Sequence, residues 1–397
     1  MAMPSIYLDH AATTPMRPGV LEAMLPYLTD YFGNPSSLHA WGRKAKAALT
    51  EARDTIANLL GCQSKEIIFT SGGTESDNLA LFGTAPVPPG TKRHIITSAI
   101  EHHAVLHPME RLEQLGYRVT YLEVDANGRI KLDQLEAALS PDTLLVSLMF
   151  GNNETGTLQP IDTVGRLAKT QGALVHVDAV QALGAIPIDL SSLPVDLVSF
   201  SAHKIGGPKG VGALYCSSRT PLFPLIHGGS QERKHRAGTE NVAGIVGFAA
   251  ALKQTMAELP GKRDWYEQLR GRMISGLQEL LGNGQVVVNG PDHPHERLPH
   301  ILNVSFPGID TETLLMNLDL AGIAASSGSA CTSGSLERSH VIAAMRLPEE
   351  RANSAVRFSF GYTTTEEEID EAVRIIAGIV SRLRSARTVD VQMDKMG

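Results

Sequence analysis

From residue 66 to residue 215 the chain alternates short, almost unbroken apolar runs with stretches whose apolar residues recur at helical spacing. Residues 66–70, 94–97, 117–124, 143–150, 173–177, 196–200 and 211–215 read as strands. Residues 75–82, 105–115, 132–139 and a segment around 164–169 read as helices between them. Strands apolar on both faces and joined by helices predict an α/β fold: a mainly parallel sheet covered on both sides. Ligands gather at the carboxyl ends of such strands. Ahead of this region, Ile6-Tyr7-Leu8 reads as a short strand entering a polar turn. Residues 18–28 form a helix, and residues 38–60 a long helix closed by Gly61. Past Gly244 the pattern changes. A helical region runs to Leu281, followed by short strands at 286–288 and 300–306, a loop of small residues at 324–335 and a strand at 356–360. The capping box Thr364-x-x-Glu367 opens a last helix with Ile369, Val373, Ile376, Val380 and Leu383 on one face. This part reads as a second, α+β unit.

Composition narrows the function. The chain has 397 residues, 43% of them hydrophobic, enough for a large core. Charged residues are 19% and the net charge is -7, which argues against a nucleic-acid partner, and no basic cluster suggests a membrane surface. No uninterrupted apolar run is long enough to span a bilayer, and residues 1–5 lack the basic-then-apolar signature of a secretory leader, so a cytoplasmic protein is expected. Cys62, Cys216 and Cys331 are odd in number and far apart, which suits a reducing compartment and gives no metal-like spacing.

The candidate chemistry lies at strand ends. The strand 196–200 runs into Ser201-Ala202-His203-Lys204 and a glycine-rich turn. A lysine there is costly unless paired or used, and one use is a Schiff base with an aldehyde cofactor such as pyridoxal phosphate. That cofactor also needs an acid at its pyridine nitrogen and a phosphate cradle. Asp178 ends the preceding strand, with Gln181 close behind it, and Phe69-Thr70-Ser71-Gly72-Gly73-Thr74-Glu75-Ser76 is a strand, a glycine turn and a helix start that favours an anion. His102 and Asn153 close two further strands, within reach of the same ring. Taken singly, each has a plain structural reading as a capping acid, a tight turn or a core histidine; their convergence on one sheet edge is the stronger signal. Cys331 sits among serine, glycine and alanine, with no bulky neighbours to bury it, and reads as an accessible thiol.

With these residues together, the chain resembles the cysteine desulfurases, fold-type I pyridoxal-phosphate enzymes of the class V aminotransferase group, essentially end to end. The segments Thr70-Ser71-Gly72-Gly73-Thr74-Glu75-Ser76-Asp77-Asn78, Ser201-Ala202-His203-Lys204 and Ser327-Gly328-Ser329-Ala330-Cys331-Thr332-Ser333-Gly334 carry the likeness, and Arg236-Ala237-Gly238-Thr239-Glu240-Asn241 resembles the NifS-type branch. The resemblance implies a seven-stranded sheet in a large domain, residues 15–258. Residues 1–14 and 259–397 would form a small domain carrying the cysteine loop. It further implies Lys204 as the cofactor anchor, Asp178 on the pyridine nitrogen, Gln181 and Asn153 on the phenolic oxygen, and His102 stacked on the ring. Gly73, Thr74, Ser201 and His203 would bind the phosphate, joined by Thr239 from the partner subunit of a homodimer. Arg357 would clamp the substrate carboxylate, with Asn153 also facing substrate. Cys331 would take sulfur from L-cysteine as a persulfide, releasing alanine and passing sulfur to an iron–sulfur scaffold or another acceptor protein. His103 and Phe360-Gly361-Tyr362 depart from the family pattern at positions of no expected catalytic role. The alternatives are another class V enzyme, a selenocysteine lyase or aminotransferase, which needs no such thiol, and a non-catalytic sulfur carrier or scaffold, which leaves Lys204 and Asp178 unexplained.

Overall fold

The protein is represented by a computed structural model that describes residues 6–86, 88, 90–327 and 339–394, with side chains described as far as residue 386. The strands are β1 (Ile6–Tyr7), β2 (Ile67–Thr70), β3 (His94–Ser98), β4 (Arg118–Leu122), β5 (Thr143–Met149), β6 (Leu174–Asp178), β7 (Leu197–Ser201), β8 (Gly212–Cys216), β9 (Val287–Asn289), β10 (Ile301–Ser305), β11 (Ile323–Ala324) and β12 (Ala355–Ser359). The helices are α1 (Pro18–Thr29), α2 (Ala40–Leu60), α3 (Gly73–Thr84), α4 (His103–Gln114), α5 (Leu132–Ala138), α6 (Ile161–Thr170), α7 (Val242–Leu281), α8 (Thr311–Leu320), α9 (His340–Ala344), α10 (Glu349–Ala352) and α11 (Glu366–Asp394).

The central sheet has seven strands, as expected, and their order is β2-β8-β7-β6-β5-β3-β4. Only β8 runs against its neighbours, so β2 and β7, on either side of it, point the same way. The carboxyl ends of β2, β3, β5, β6 and β7 therefore share one edge. Register fixes their side chains: Met149 lies beside Asp178, and Asp178 beside Ser199. The strand residues of β5 through β8 are buried almost throughout, which is why they read as continuous apolar runs rather than alternating ones.

Two large hydrophobic clusters result. One packs the sheet against its helices and includes Ile67, Val146, Val175, Val198 and Phe248. It also takes in Leu298, Ile301, Val341 and Ile342 from the C-terminal part of the chain. The other joins β9, β10 and β12 to α8 and α11, around Leu302, Phe306, Val356, Phe358 and Ile376. The helix α7 feeds Ile245, Phe248 and Leu252 into the first and Tyr266, Leu269, Met273 and Leu277 into the second. It is long and apolar enough to cross a membrane, but half of its most apolar window is buried in the protein, as befits a core helix. Sequence reading missed α8, whose apolar residues Leu314, Leu315, Met316, Leu318 and Leu320 crowd together rather than recur along one face, and α9 and α10, which are only five and four residues long.

Candidate active site

The sheet edge frames a cavity of about 270 Å³ lined by Gly73, Thr74, His102, Asn153, Asp178, Gln181, Ser201, His203 and Lys204, together with Asp77, Met149, Gly151 and Val180. Nine residues singled out from the sequence thus converge on one space. A more open groove of about 430 Å³ adjoins it, sharing Gly73, Thr74, Ser201 and His203 and adding Ser71, Thr13 and Lys209.

Each side chain is set by its element. At Gly73, the first residue of α3, a Cβ would stand 2.7 Å from Val180 Cγ2, so the backbone closes against the Val180 side chain and the helix start faces the groove. Thr70 and Ser76 hydroxyls bond across this turn at 2.7 Å, and Glu75 accepts from the Ser71 N–H at 2.8 Å. His102 caps α4, its Nδ1 accepting from the Ala104 N–H at 3.1 Å. Burial, aided by the Lys204 charge and neighbouring histidines, lowers its pKa to about 4, so the ring is neutral at neutral pH. Lys204 donates to the carbonyls of Ala11 at 2.5 Å and Ala12 at 2.8 Å, and the Ala11 carbonyl also accepts from Gln181 Nε2 at 2.9 Å. The N-terminal turn, far away in sequence, therefore aims both residues. His203 Nδ1 lies 3.1 Å from the Thr13 hydroxyl, and burial pushes its pKa down to about 4.

The acids lie deepest. Asp178 accepts from the Val180 N–H at 2.9 Å, and burial raises its pKa to about 6, against the pull of that hydrogen bond and of Lys204. Asp77, which the sequence did not single out beyond its place in a motif, lines the cavity with its Oδ1 buried and 3.5 Å from His176 Nε2. Burial and the neighbouring Asp178 hold its carboxyl well above the usual range. An i+4 spacing from Gly73 was the available signal, since it places Asp77 one turn into the helix and under the cradle.

Arg357, in β12, does not line the cavity. It is buried, Nη1 donating to the Asn153 carbonyl at 2.8 Å and Nη2 pairing with Asp9 Oδ1 at 2.6 Å, while Nε is buried with no partner among the described residues. Thr239 stands exposed, outside the lining. Cys331 lies outside the described residues. The flanking residues meet the site: Ser326 pairs with Arg357 through both backbone groups, Ser339 donates to Glu154 at 2.5 Å, and His340 Nε2 lies 2.9 Å from the Glu101 carbonyl. Burial pushes the thiols of Cys62 and Cys216 up to about 12, which makes them poor nucleophiles at neutral pH.

A lysine, a buried acid and an anion cradle on the carboxyl edge of such a sheet define a cofactor-dependent class, and the comparisons agree. The aminotransferase class-V family model matches residues 6–372, and the chain belongs to that family. Within it, the chain is 47% identical over 380 residues to the cysteine desulfurase IscS of Dictyoglomus turgidum, covering 96% of this chain and 95% of that one. It is 48% identical to the cysteine desulfurase IscS of Methanosarcina thermophila, covering 96% and 93%. A solved NifS-like protein superposes with a TM-score of 0.89 at 42% identity, over 95% of this chain and 99% of that one. The chain is a member of the cysteine desulfurase group, whose family is pyridoxal-phosphate-dependent.

Proposed function

We propose that this chain removes sulfur from L-cysteine. The products are L-alanine and a persulfide on Cys331, and the sulfur passes to an iron–sulfur scaffold or another acceptor protein. The observation that carries the reading is the convergence of nine candidate residues on one cavity. The chemistry of that lining fits pyridoxal phosphate: an amine, a strand-end carboxylate, a flat-faced neutral imidazole, and a helix start whose Gly73 position leaves no room for a side chain. When bound, the cofactor supplies an electron sink for charge at the substrate's α-carbon.

The protein's own residues divide the remaining work. Lys204 anchors the cofactor and Asp178 faces its ring nitrogen. Gln181 and Asn153 hold its phenolic oxygen, and Gly73, Thr74, Ser201 and His203 its phosphate, with Thr239 of a second copy completing the cradle in a homodimer. His102, neutral at its depressed pKa of about 4 and with Nδ1 held by the Ala104 N–H, stacks on the ring and presents its Nε2–H to move a proton at the substrate. Arg357, with a spare Nε and a fork already oriented by Asp9, receives the substrate carboxylate beside Asn153. The Cys331 thiolate attacks the substrate sulfur: a sulfur–sulfur bond forms, the carbon–sulfur bond breaks with its electron pair left on carbon, and the carbon framework takes up a proton and leaves as alanine. Residues 15–258 form the cofactor domain, and residues 1–14 and 259–397 bring the cysteine segment to it, in a cytoplasmic enzyme.

The test uses Cys331→Ser. The variant should bind pyridoxal phosphate with unchanged visible absorbance, form no persulfide by mass spectrometry, and release alanine from L-cysteine about 100-fold more slowly. Near-full alanine release would overturn the proposal.

A further inference from the structure

A second, smaller cavity of about 30 Å³ shares Lys204 and Gln181 with the candidate active site, and none of the roles assigned above accounts for it. Its walls bring together Arg17, Lys262, His10 and His300. Glycine backbone brings the walls close: Gly184 and Gly206, at φ of 69° and 80°, and Gly361, where a Cβ would stand 2.1 Å from the His10 ring. The imidazole is thereby clamped in one orientation.

Donors face this space from several sides: the Arg17 Nε–H and the single N–H that each neutral imidazole of His10 and His300 carries. Arg17 Nε and His300 Nδ1 are buried with no hydrogen-bond partner among the described residues, and the equally buried His10 ring has only a backbone hydrogen bond to Tyr7; His10 is 3% exposed and Arg17 5%. Buried donors left in this state cost free energy unless something fills the space between them. The nearby charge is one-sided. Arg17 and Lys262 are cationic, as is Lys204 in the cofactor-free protein, and the neighbouring acid, Glu258, which is not part of the lining, has both oxygens taken by the Arg17 terminal nitrogens at 2.6 and 2.8 Å. Tyr7 stands edge-on to His10 at 4.8 Å, and Tyr266 and Tyr362 complete the wall with phenols that burial keeps protonated. Lys262 donates to the Gly184 carbonyl at 3.0 Å.

A space this size holds roughly one or two water-sized bodies, too little for a phosphate or a substrate carboxylate. We propose that this cavity is a binding site for a small monovalent anion of chloride size, held by Arg17 Nε, His10 and Lys262 behind the cofactor-anchoring lysine. The ion supplies the partner that the orphaned donors lack and offsets the repulsion among the cations. Burial, reinforced by neighbouring positive charge, lowers Lys262 to about 8 and His10 to about 4, and an anion bound between them would act in the opposite direction on both.

The test uses the cofactor-loaded enzyme. Crystals soaked in sodium bromide should show an anomalous peak among His10, Arg17 and Lys262. The melting temperature should be higher in chloride than in gluconate at equal ionic strength. Lys262→Met should weaken chloride binding about tenfold, whereas Glu258→Gln, which removes the competing carboxylate, should strengthen it. Because the two variants act in opposite directions, loss of folding in one leaves the other decisive. Ordered water without bromide, equal melting in the two salts, or a bromide peak undiminished in Lys262→Met would each overturn the site.

Discussion

Glu101 ends the turn before His102 and is wholly buried, with Oε1 accepting from the Ser98 hydroxyl at 2.5 Å and the Met149 backbone N–H a further donor to the carboxylate. Burial raises its pKa from 4.5 to about 8, and that of buried Glu154 to about 7. Between pH 4.5 and 8 the folded chain keeps a proton on Glu101 that the unfolded chain gives up. Stability from this group is thus complete below 4.5 and declines as pH rises towards 8. The buried histidines act in the opposite sense. His10, His94, His102 and His203, lowered to about 4, refuse protons that the unfolded chain binds below 6.5, so stability rises with pH across that window. The cofactor-free protein should therefore be most stable near neutrality and lose stability from pH 7 to 8. Glu101→Gln should abolish that last decline in urea unfolding measured at the two pH values. An equal fall in variant and wild type would show that Glu101 is ionised in the folded protein at neutral pH.

At the scale of elements, α2 is tied to the sheet by a buried ion pair. Arg53 reaches from α2 to both oxygens of Glu232, at 2.6 and 2.7 Å, and to the Ile67 carbonyl at 2.6 Å; Glu232 also accepts from the Phe69 N–H at 3.0 Å. Glu232, Arg233 and Lys234 all have left-handed backbones, with φ of 43°, 55° and 72°, a conformation that costs non-glycine residues about 1 kcal/mol or more each. The bonds to Glu232 hold this turn, which leads through the Arg236–Glu75 pair to the segment bearing Thr239. Arg53→Met leaves a buried carboxylate uncompensated and should destabilise the fold by about 3–5 kcal/mol. Adding Glu232→Leu should restore part of the loss, read as a coupling in a double-mutant cycle by urea unfolding. Strict additivity would mean that the turn is held by other contacts.

For the whole molecule, the decisive element is α7. One unbroken helix of 40 residues supplies side chains to both large clusters, so neither can come apart without exposing the helix that serves the other. The two tryptophans report on different regions: Trp41 on α2, and Trp265 against the second cluster. Urea unfolding followed separately in Trp41→Phe and Trp265→Phe should give coincident midpoints. Two separated midpoints would show that the clusters unfold as independent units despite the shared helix.

The sequence by itself determined the central sheet and the residues gathered at its edge. Strands buried on both faces leave unbroken apolar runs, and residues at their carboxyl ends share one edge whatever the loops do; that is why Lys204, Asp178, His102 and Asn153 could be placed together before any coordinates. The runs also carried the strand count, although β8 runs antiparallel, a direction that pairing and not residue pattern decides. What the sequence could not supply was contact across long separations. The Ala11 carbonyl that receives Lys204 and Gln181 lies in a turn that looks like any other. Asp77 reads as an ordinary polar helix residue until Asp178 and His176 close over it, and Arg357 reads as a free clamp until Asp9 and Asn153 hold it. The cationic cavity behind Lys204 draws on residues from 10 to 362. Burial and charge are properties of an enclosed space, and no stretch of this chain encloses one alone; only the packing of distant segments made these groups neutral, paired or orphaned.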